Sequence, residues 1–382
     1  MQTLALTLIL LSIPALAIQT PYARWLQNER GFTDLELLFV KCGIGALVCF
    51  LPYLLMSGYF TALGTKNPDP AMYWIAVVGV TLANFVIQWA NMRAAKLADV
   101  SFSAPISATT PGFVTVTGVV LGEWPSTLGY FGIGLIVMGT FLHAREGAPL
   151  KEYFTPFYFW RAIRSEELPE EERKKYRGLA LAYVGAFYST FGLTLDGVLP
   201  RYGNPALGVS IELASLAVIY LAFYVKGLGL DWRGTIAAFR RRALHNWEHL
   251  VGLGISFGST FIMLTVVYTE APIAYAGSMK RLAIILTVLI GIYKLGELRK
   301  PDERGKRYRR LILSGVVVLG SVFLALDDVS PVVISNLDEF IRTKGIEAGL
   351  VLFLLTAITA YFTHLWLRIE RRIAQRALCP SP

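Results

Sequence analysis

Residues 117–125 read Thr-Gly-Val-Val-Leu-Gly-Glu-Trp-Pro, and the Leu-Gly-Glu at their centre, 121–123, returns as Leu295-Gly296-Glu297 at an offset of 174. Each copy closes a long apolar run. Two further matches keep this order: Gly31 pairs with Gly203 at an offset of 172, and Gly134 to Gly139 pairs with Gly315 to Gly320 at 181. The seven extra residues form a basic insertion around Pro301 to Arg310. The repeat unit holds five apolar runs, and because five is odd the second copy enters a membrane from the opposite face.

Composition identifies the runs as membrane spans. Of 382 residues, 54% are hydrophobic and 16% charged, against roughly 25% charged in ordinary globular chains, and the mean hydropathy is +0.52. A bilayer core needs about 20 apolar residues per helix. Eleven runs meet that length, near 3–24, 35–57, 71–92, 98–121, 126–143, 178–198, 205–226, 249–269, 272–294, 309–327 and 347–367. The sequence therefore predicts an all-α polytopic membrane protein of two inverted five-helix repeats, ten spans, plus one extra C-terminal helix. Its expected divisions are a first repeat at 1–143, a basic and aromatic cytoplasmic connector at 144–177, and a second repeat at 178–327. An extracytoplasmic loop at 328–346, the extra helix at 347–367 and a basic cytoplasmic tail at 368–382 follow. The connector, with aromatics from Tyr153 to Trp160 and charges from Glu166 to Lys175, reads as an interfacial helix and a charged linker, or else as a disordered linker. The first run ends in Pro14-Ala15-Leu16-Ala17, as a cleaved signal does, yet no Lys or Arg precedes it, so it is kept as a membrane helix.

A net charge of +9 and a pI near 9.4 raise nucleic acid as a partner, but the bases are not gathered on a binding face. Of 36 Lys and Arg, 29 lie in the loops after odd-numbered runs and in the tail. Four lie on the opposite side (Lys66, Arg201, Arg342, Lys344), and three, Lys41, Lys280 and Arg281, fall inside spans. The positive-inside rule then places the amino terminus outside and the carboxyl terminus inside a plasma or inner membrane, with the bases meeting anionic lipids at the inner face. Cys42 and Cys49 lie on one expected helix, about 10 Å apart along its axis, so no disulfide is expected.

One enzyme signal stands out. His245-Asn246-Trp247-Glu248-His249 fits the H-x-x-E-H metalloprotease pattern, with two imidazoles four apart on one helical face. A third ligand and a sheltered pocket are not indicated. The chain also lacks a glycine-rich phosphate loop and a G-x-S-x-G elbow, and it reads as a non-enzyme without metal or cofactor.

Ala104-Pro105 through Pro111, the segment 117–125 and the glycine-rich Gly132 to Gly139 resemble the end of an EamA domain, and Ala271-Pro272 to Glu297 with Gly315 to Gly320 is similar. The resemblance implies the drug/metabolite transporter superfamily, with two EamA domains over about residues 1–327. An eleventh helix has no place in the ten-helix plan, and many relatives keep both termini inside. A homodimer through that helix is an open expectation.

Charges inside spans cost about 2.5 to 3.5 kcal/mol each and are functional candidates. Lys280 and Arg281 fall near the midplane of the ninth run, a compact cation beside a planar fork suited to carboxylate or phosphate. The pair is similar to a Lys-Arg pair in the ninth helix of plastid sugar-phosphate translocators, where it binds the phosphate, which implies an anionic small-molecule substrate. The competing reading is a structural ion pair with Glu212 or Asp196. Glu212 nearly matches Lys41 across the repeat, so both copies place a charge at about the same depth. A pair between Glu212 and Lys41 or Lys280 would remove isolated charges from lipid; a lone carboxylate would carry a coupling proton. Asn84, Gln88 and Asn91 form a polar stripe that lines a substrate path or ties helices together. Tyr275, with Trp89, Tyr183, Tyr188 and Tyr268, would form an aromatic wall, or simply pack. Pro105 and Pro111 break the fourth helix at the depth of the site. Asp196 and Arg24, near helix ends, read as snorkelled or gating charges. Gly134/Gly139, Gly315/Gly320 and Gly254/Gly258 are expected to allow close helix packing.

Overall fold

The computed structural model describes residues 3–64, 69–110, 113, 126–144, 146, 162–165, 167–227, 232–270, 280–298 and 303–326. The chain divides into two units, Met1–Val333 and Ile334–Pro382, and the second lies outside the described residues together with the expected eleventh helix. Pro111, Tyr275, the first Leu-Gly-Glu and most of the connector also lie outside them.

Every element among the described residues is helical. They are α1 (Thr3–Glu29), α2 (Asp34–Gly64), α3 (Pro70–Leu97) and α4 (Val100–Ser103), which passes into a 3₁₀ turn at Ala104–Thr109. Then come α5 (Thr127–Ala144), α6 (Glu170–Tyr202), α7 (Pro205–Gly227), α8 (Trp232–His245) and α9 (Trp247–Glu270). A second 3₁₀ turn, Lys280–Leu282, leads into α10 (Ala283–Tyr293), and α11 (Arg304–Leu326) follows. Among the described residues, six stretches are long and apolar enough to cross a membrane: Asp34–Leu55, Pro70–Leu97, Thr127–Ala144, Glu170–Tyr202, Pro205–Gly227 and Trp247–Tyr268.

Local chemistry sets the helix ends. Asp69 caps α3 by accepting the N–H groups of Ala71 and Met72 at 3.0 and 3.2 Å, with Pro70 in the first turn, where its missing donor is harmless. Helix α6 begins at Glu170, ahead of its apolar run, because Glu170, Glu171 and Glu172 occupy the turn where the helix dipole favours anions.

Helix α3 packs along α6, α2 along α7, and α5 along α11; α9 lies on α2 and α1, and α1 also meets α10. Leu37, Leu38, Leu213, Leu216 and Phe257 form one core between α2, α7 and α9. Two crossings need glycine. A Cβ at Gly258 would stand 2.8 Å from the Gly45 carbonyl oxygen, and one at Gly320 would stand 2.6 Å from that of Gly132. Gly134 and Gly315 meet nothing within 4 Å, so of those two expected pairs only Gly139 and Gly320 stand at a contact. Leu47, Leu55 and Val218 are 69%, 75% and 66% exposed, the outer apolar surface expected of helices facing lipid.

The second Leu-Gly-Glu is a turn. Gly296 and Leu298 take φ of 72° and 57°, which aims the Glu297 carboxylate at the first amides of α4, Val100 N at 2.8 Å and Ser101 N at 2.9 Å. A Cβ at Gly291 would fall 2.8 Å from Glu297 Oε2, so glycine there makes room for the carboxylate. Glu297 also pairs with Arg24, which reaches Asp99 at 3.2 Å. Asp99 meets Arg310 at 3.1 Å, and Arg310 grips both oxygens of Glu146 at 2.7 Å. Lys175 completes the network at 3.2 Å from Glu146. Burial alone would raise the Glu146 carboxyl, but the Arg310 hydrogen bonds and Lys175 hold it at about 2. One ionic cluster thus joins α1, the α3–α4 corner, the end of α5, the start of α6, the turn after α10 and the start of α11.

Candidate functional site

Among the described residues, a cavity of about 250 Å³ lies within the bundle, with walls from α1, α2, α3, α6, α9, α10 and both 3₁₀ turns. Lys41, Asn84, Gln88, Lys280 and Arg281 all line it. Glu212 does not line it and sits one contact behind, Pro105 lies buried in the 3₁₀ turn beside it, and Pro111 and Tyr275 lie outside the described residues.

The α3 stripe both borders the cavity and ties helices together. Asn84, Gln88 and Asn91 line the cavity, and two of them also tie helices together. Asn84 Nδ2 donates to Glu212 Oε1 at 2.7 Å, and Lys41 Nζ donates to Gln88 Oε1 at 2.7 Å. Glu212 is therefore bonded to Asn84 rather than to Lys41 or Lys280. The physical reason is rotation: Glu212 and Lys41 meet α3 one turn apart, at Asn84 and Gln88. Lys41 also sits 4.4 Å above the Phe257 ring, a cation–π contact inside the cavity wall.

Lys280 Nζ donates to the Tyr268 hydroxyl at 3.4 Å, and Arg281 Nε is buried with no hydrogen-bond partner among the described residues. No carboxylate among those residues lies within ion-pair distance of Lys41, Lys280 or Arg281. The 3₁₀ turns at Ala104–Thr109 and Lys280–Leu282 both border the cavity, so irregular backbone occurs where it lines a space rather than lipid.

Several lining residues escape sequence reasoning. Asp196, one turn before Pro200, lines the cavity instead of snorkelling at a helix end, and Gln19 and Thr260 line it from α1 and α9; Tyr268, expected in an aromatic wall, lines it as well. The only signal for Asp196 is an acid within an apolar run. Of the other aromatics, Tyr188 is buried, Tyr183 packs on the core around Leu179, and Trp89 packs on the core of α2 and α7. Arg24 belongs to the ionic cluster.

The H-x-x-E-H segment does not form one helical face. Helix α8 ends at His245 and α9 starts at Trp247, while His249 Nδ1 is hydrogen-bonded to the Tyr22 hydroxyl and its ring stands edge-on to Trp25 at 5.0 Å.

Residues 3–145 match the family model described as the EamA-like transporter family. That stretch of the chain is similar to an EamA-like transporter. Within the matched stretch lie Lys41, Asn84, Gln88 and Pro105, whereas Glu212, Lys280 and Arg281 lie beyond it. A solved structure described as "Crystal structure of protein" is similar in fold, with a TM-score of 0.51 at 16% identity over 85% of this chain and 95% of that chain. The shared fold therefore runs well past the EamA-like match. No curated protein matches the chain. The match over residues 3–145 and the long apolar helices among the described residues mark an integral membrane protein.

Proposed function

We propose that this chain is a secondary transporter of a small anionic metabolite, working by alternating access between two inverted five-helix repeats. The observation that carries the reading is the convergence of Lys41, Lys280 and Arg281 on one cavity, with Arg281 Nε left without a partner among the described residues. Buried cations are retained when something pairs them, and an anionic ligand in the cavity does so. A volume of about 250 Å³ falls just below the roughly 300 to 1,000 Å³ of small-molecule sites.

Helix packing supports the inverted repeat. Laying α1, α2, α3, the α4–3₁₀ segment and α5 on α6, α7, α9, α10 and α11 maps the α3–α6 contact onto α9–α1 and leaves α2–α7 and α5–α11 paired with themselves. Two copies related by a two-fold axis in the membrane plane produce that pattern. The charge asymmetry of the loops supports an amino terminus outside and a carboxyl terminus inside.

The test is flux. Proteoliposomes containing the purified chain and a panel of labelled organic phosphates and carboxylates should accumulate at least one of them, and Lys280→Ala/Arg281→Ala should abolish it. Equal flux in the double variant would overturn the anion site. A second reading, export of amino acids, rests on Asp196, which puts a carboxylate in the same cavity as the three cations and so suits a zwitterion. Uptake of amino acids that needs Asp196 but survives the double variant would favour it.

A further inference from the structure

We propose that Glu212 is a proton-binding site coupled to anion binding in the cavity, so that transport is proton-linked; this rests on the anion reading above. Glu212 is 0% exposed on α7. Its Oε1 accepts Asn84 Nδ2 at 2.7 Å, and its Oε2 is buried with no partner among the described residues. The titratable groups that face it are Cys42 and Cys49 of α2 and Asp196 of α6, with Lys41 engaged by Gln88 and Tyr220 of α7 donating to the Phe85 carbonyl. None is a cation within ion-pair distance. An ionised carboxylate buried without a counter-charge costs several kcal/mol, and taking up a proton removes that cost.

Asn84 links this carboxyl to the cavity. Its amide offers two donors at one end and an acceptor at the other. With Glu212 ionised, the NH₂ group turns to the carboxylate, as found here, and the amide oxygen is left for the cavity. With Glu212 protonated, the O–H donates to the amide oxygen and the NH₂ group turns into the cavity, beside Lys41, Lys280 and Arg281. Proton binding thus adds an anion donor and removes a nearby negative charge. Both effects have the same sign: the anion binds better when Glu212 holds its proton, and by reciprocity anion binding draws a proton in.

The experiment uses the full chain in detergent, with sulfate as the probe because it does not titrate near neutral pH. Sulfate added at a weakly buffered pH on the alkaline side of the Glu212 titration should be bound with uptake of about one proton, read by an indicator dye. Sulfate affinity should strengthen by about tenfold per pH unit on the alkaline side of the Glu212 titration. Glu212→Gln, which keeps the shape and holds no exchangeable acid proton, should bind sulfate without proton uptake and without that pH dependence. Asp196→Asn should keep both. The proposal fails if the wild type binds sulfate without taking up protons, or if uptake persists in Glu212→Gln. It also fails if uptake is lost in Asp196→Asn alone. If no sulfate binds to the wild type, the anion reading falls and the coupling with it. The infrared band of a protonated carboxylic acid, present in the wild type and missing in Glu212→Gln, separates that failure from a failure of the proton site itself.

Discussion

Glu297 Oε2 accepts the backbone N–H of Ser101 at 2.9 Å, across 196 residues of sequence. The turn that closes one half of the chain is thereby the cap of a helix in the other half. Arg24, Asp99, Arg310, Glu146 and Lys175 extend this contact into one cluster that ties six elements. Under the alternating access proposed above, such a cluster would hold one end of the bundle shut.

Removing the Glu297 charge should be costly. Glu297→Gln leaves Arg24 short of its main counter-charge, and breaking a buried pair by removing one partner costs about 3 to 5 kcal/mol. Thermal unfolding in detergent should show a clear drop in midpoint, and a midpoint equal to the wild type would contradict the capping role.

The cluster also sets an acid limit. Glu146 is held at about 2 against an ordinary 4.5. A depressed carboxyl stabilises the fold above its unfolded value and loses that contribution as pH falls through the folded one. The wild type should exceed Glu146→Gln by about 3 kcal/mol at neutral pH, and the gap should close between about pH 4.5 and 2. A gap that stays constant over that window, followed by unfolding midpoints, would speak against it.

Glycine positions separate by contact. Gly320→Ala would push a Cβ to 2.6 Å from the Gly132 carbonyl oxygen, whereas Gly134→Ala meets nothing within 4 Å. The first should destabilise by about 1 to 3 kcal/mol. The second should be neutral or stabilise by up to about 1 kcal/mol through helix propensity. Equal effects in the same unfolding assay would show that the α5–α11 crossing is wrongly described.

Orientation has a built-in probe. The chain has three cysteines, and Cys42 and Cys49 are both 0% exposed, so a membrane-impermeant maleimide reports Cys379. Intact cells should remain unlabelled and inside-out vesicles should label. Labelling of intact cells would reverse the carboxyl terminus.

The membrane class and the charges Lys41, Lys280 and Arg281 are legible in the sequence because each is an exception to a long apolar pattern. The α3 stripe is legible for the same reason, its spacing matching the helical turn. What α3 bonds to is not legible: whether Asn84 faces Glu212 or Lys41 depends on the rotation of α2, α3 and α7 about their axes, and apolar runs with no polar face leave rotation unspecified. Asp196 stays open for a related reason, since a charge near a helix end looks the same whether the end meets water or a cavity. The partners of Glu297 are hidden because the Leu-Gly-Glu pattern marks a turn and says nothing of the helix it caps. The break between α8 and α9 at Asn246 is hidden inside a motif whose spacing suits one continuous helix.

The central claim is that Lys280 and Arg281 hold the anionic group of a small ligand. It is tested most directly by the thermal stability of the purified chain against sugar phosphates, nucleotide sugars, amino acids and lipid headgroups, with Lys280→Ala/Arg281→Ala alongside. A ligand that binds the native state at about 100 times its Kd stabilises by about 2.7 kcal/mol. The account predicts an upward shift with at least one phosphate-bearing compound, absent in the double variant. No shift with any anion, together with a double variant that unfolds early, would contradict it and make the pair structural.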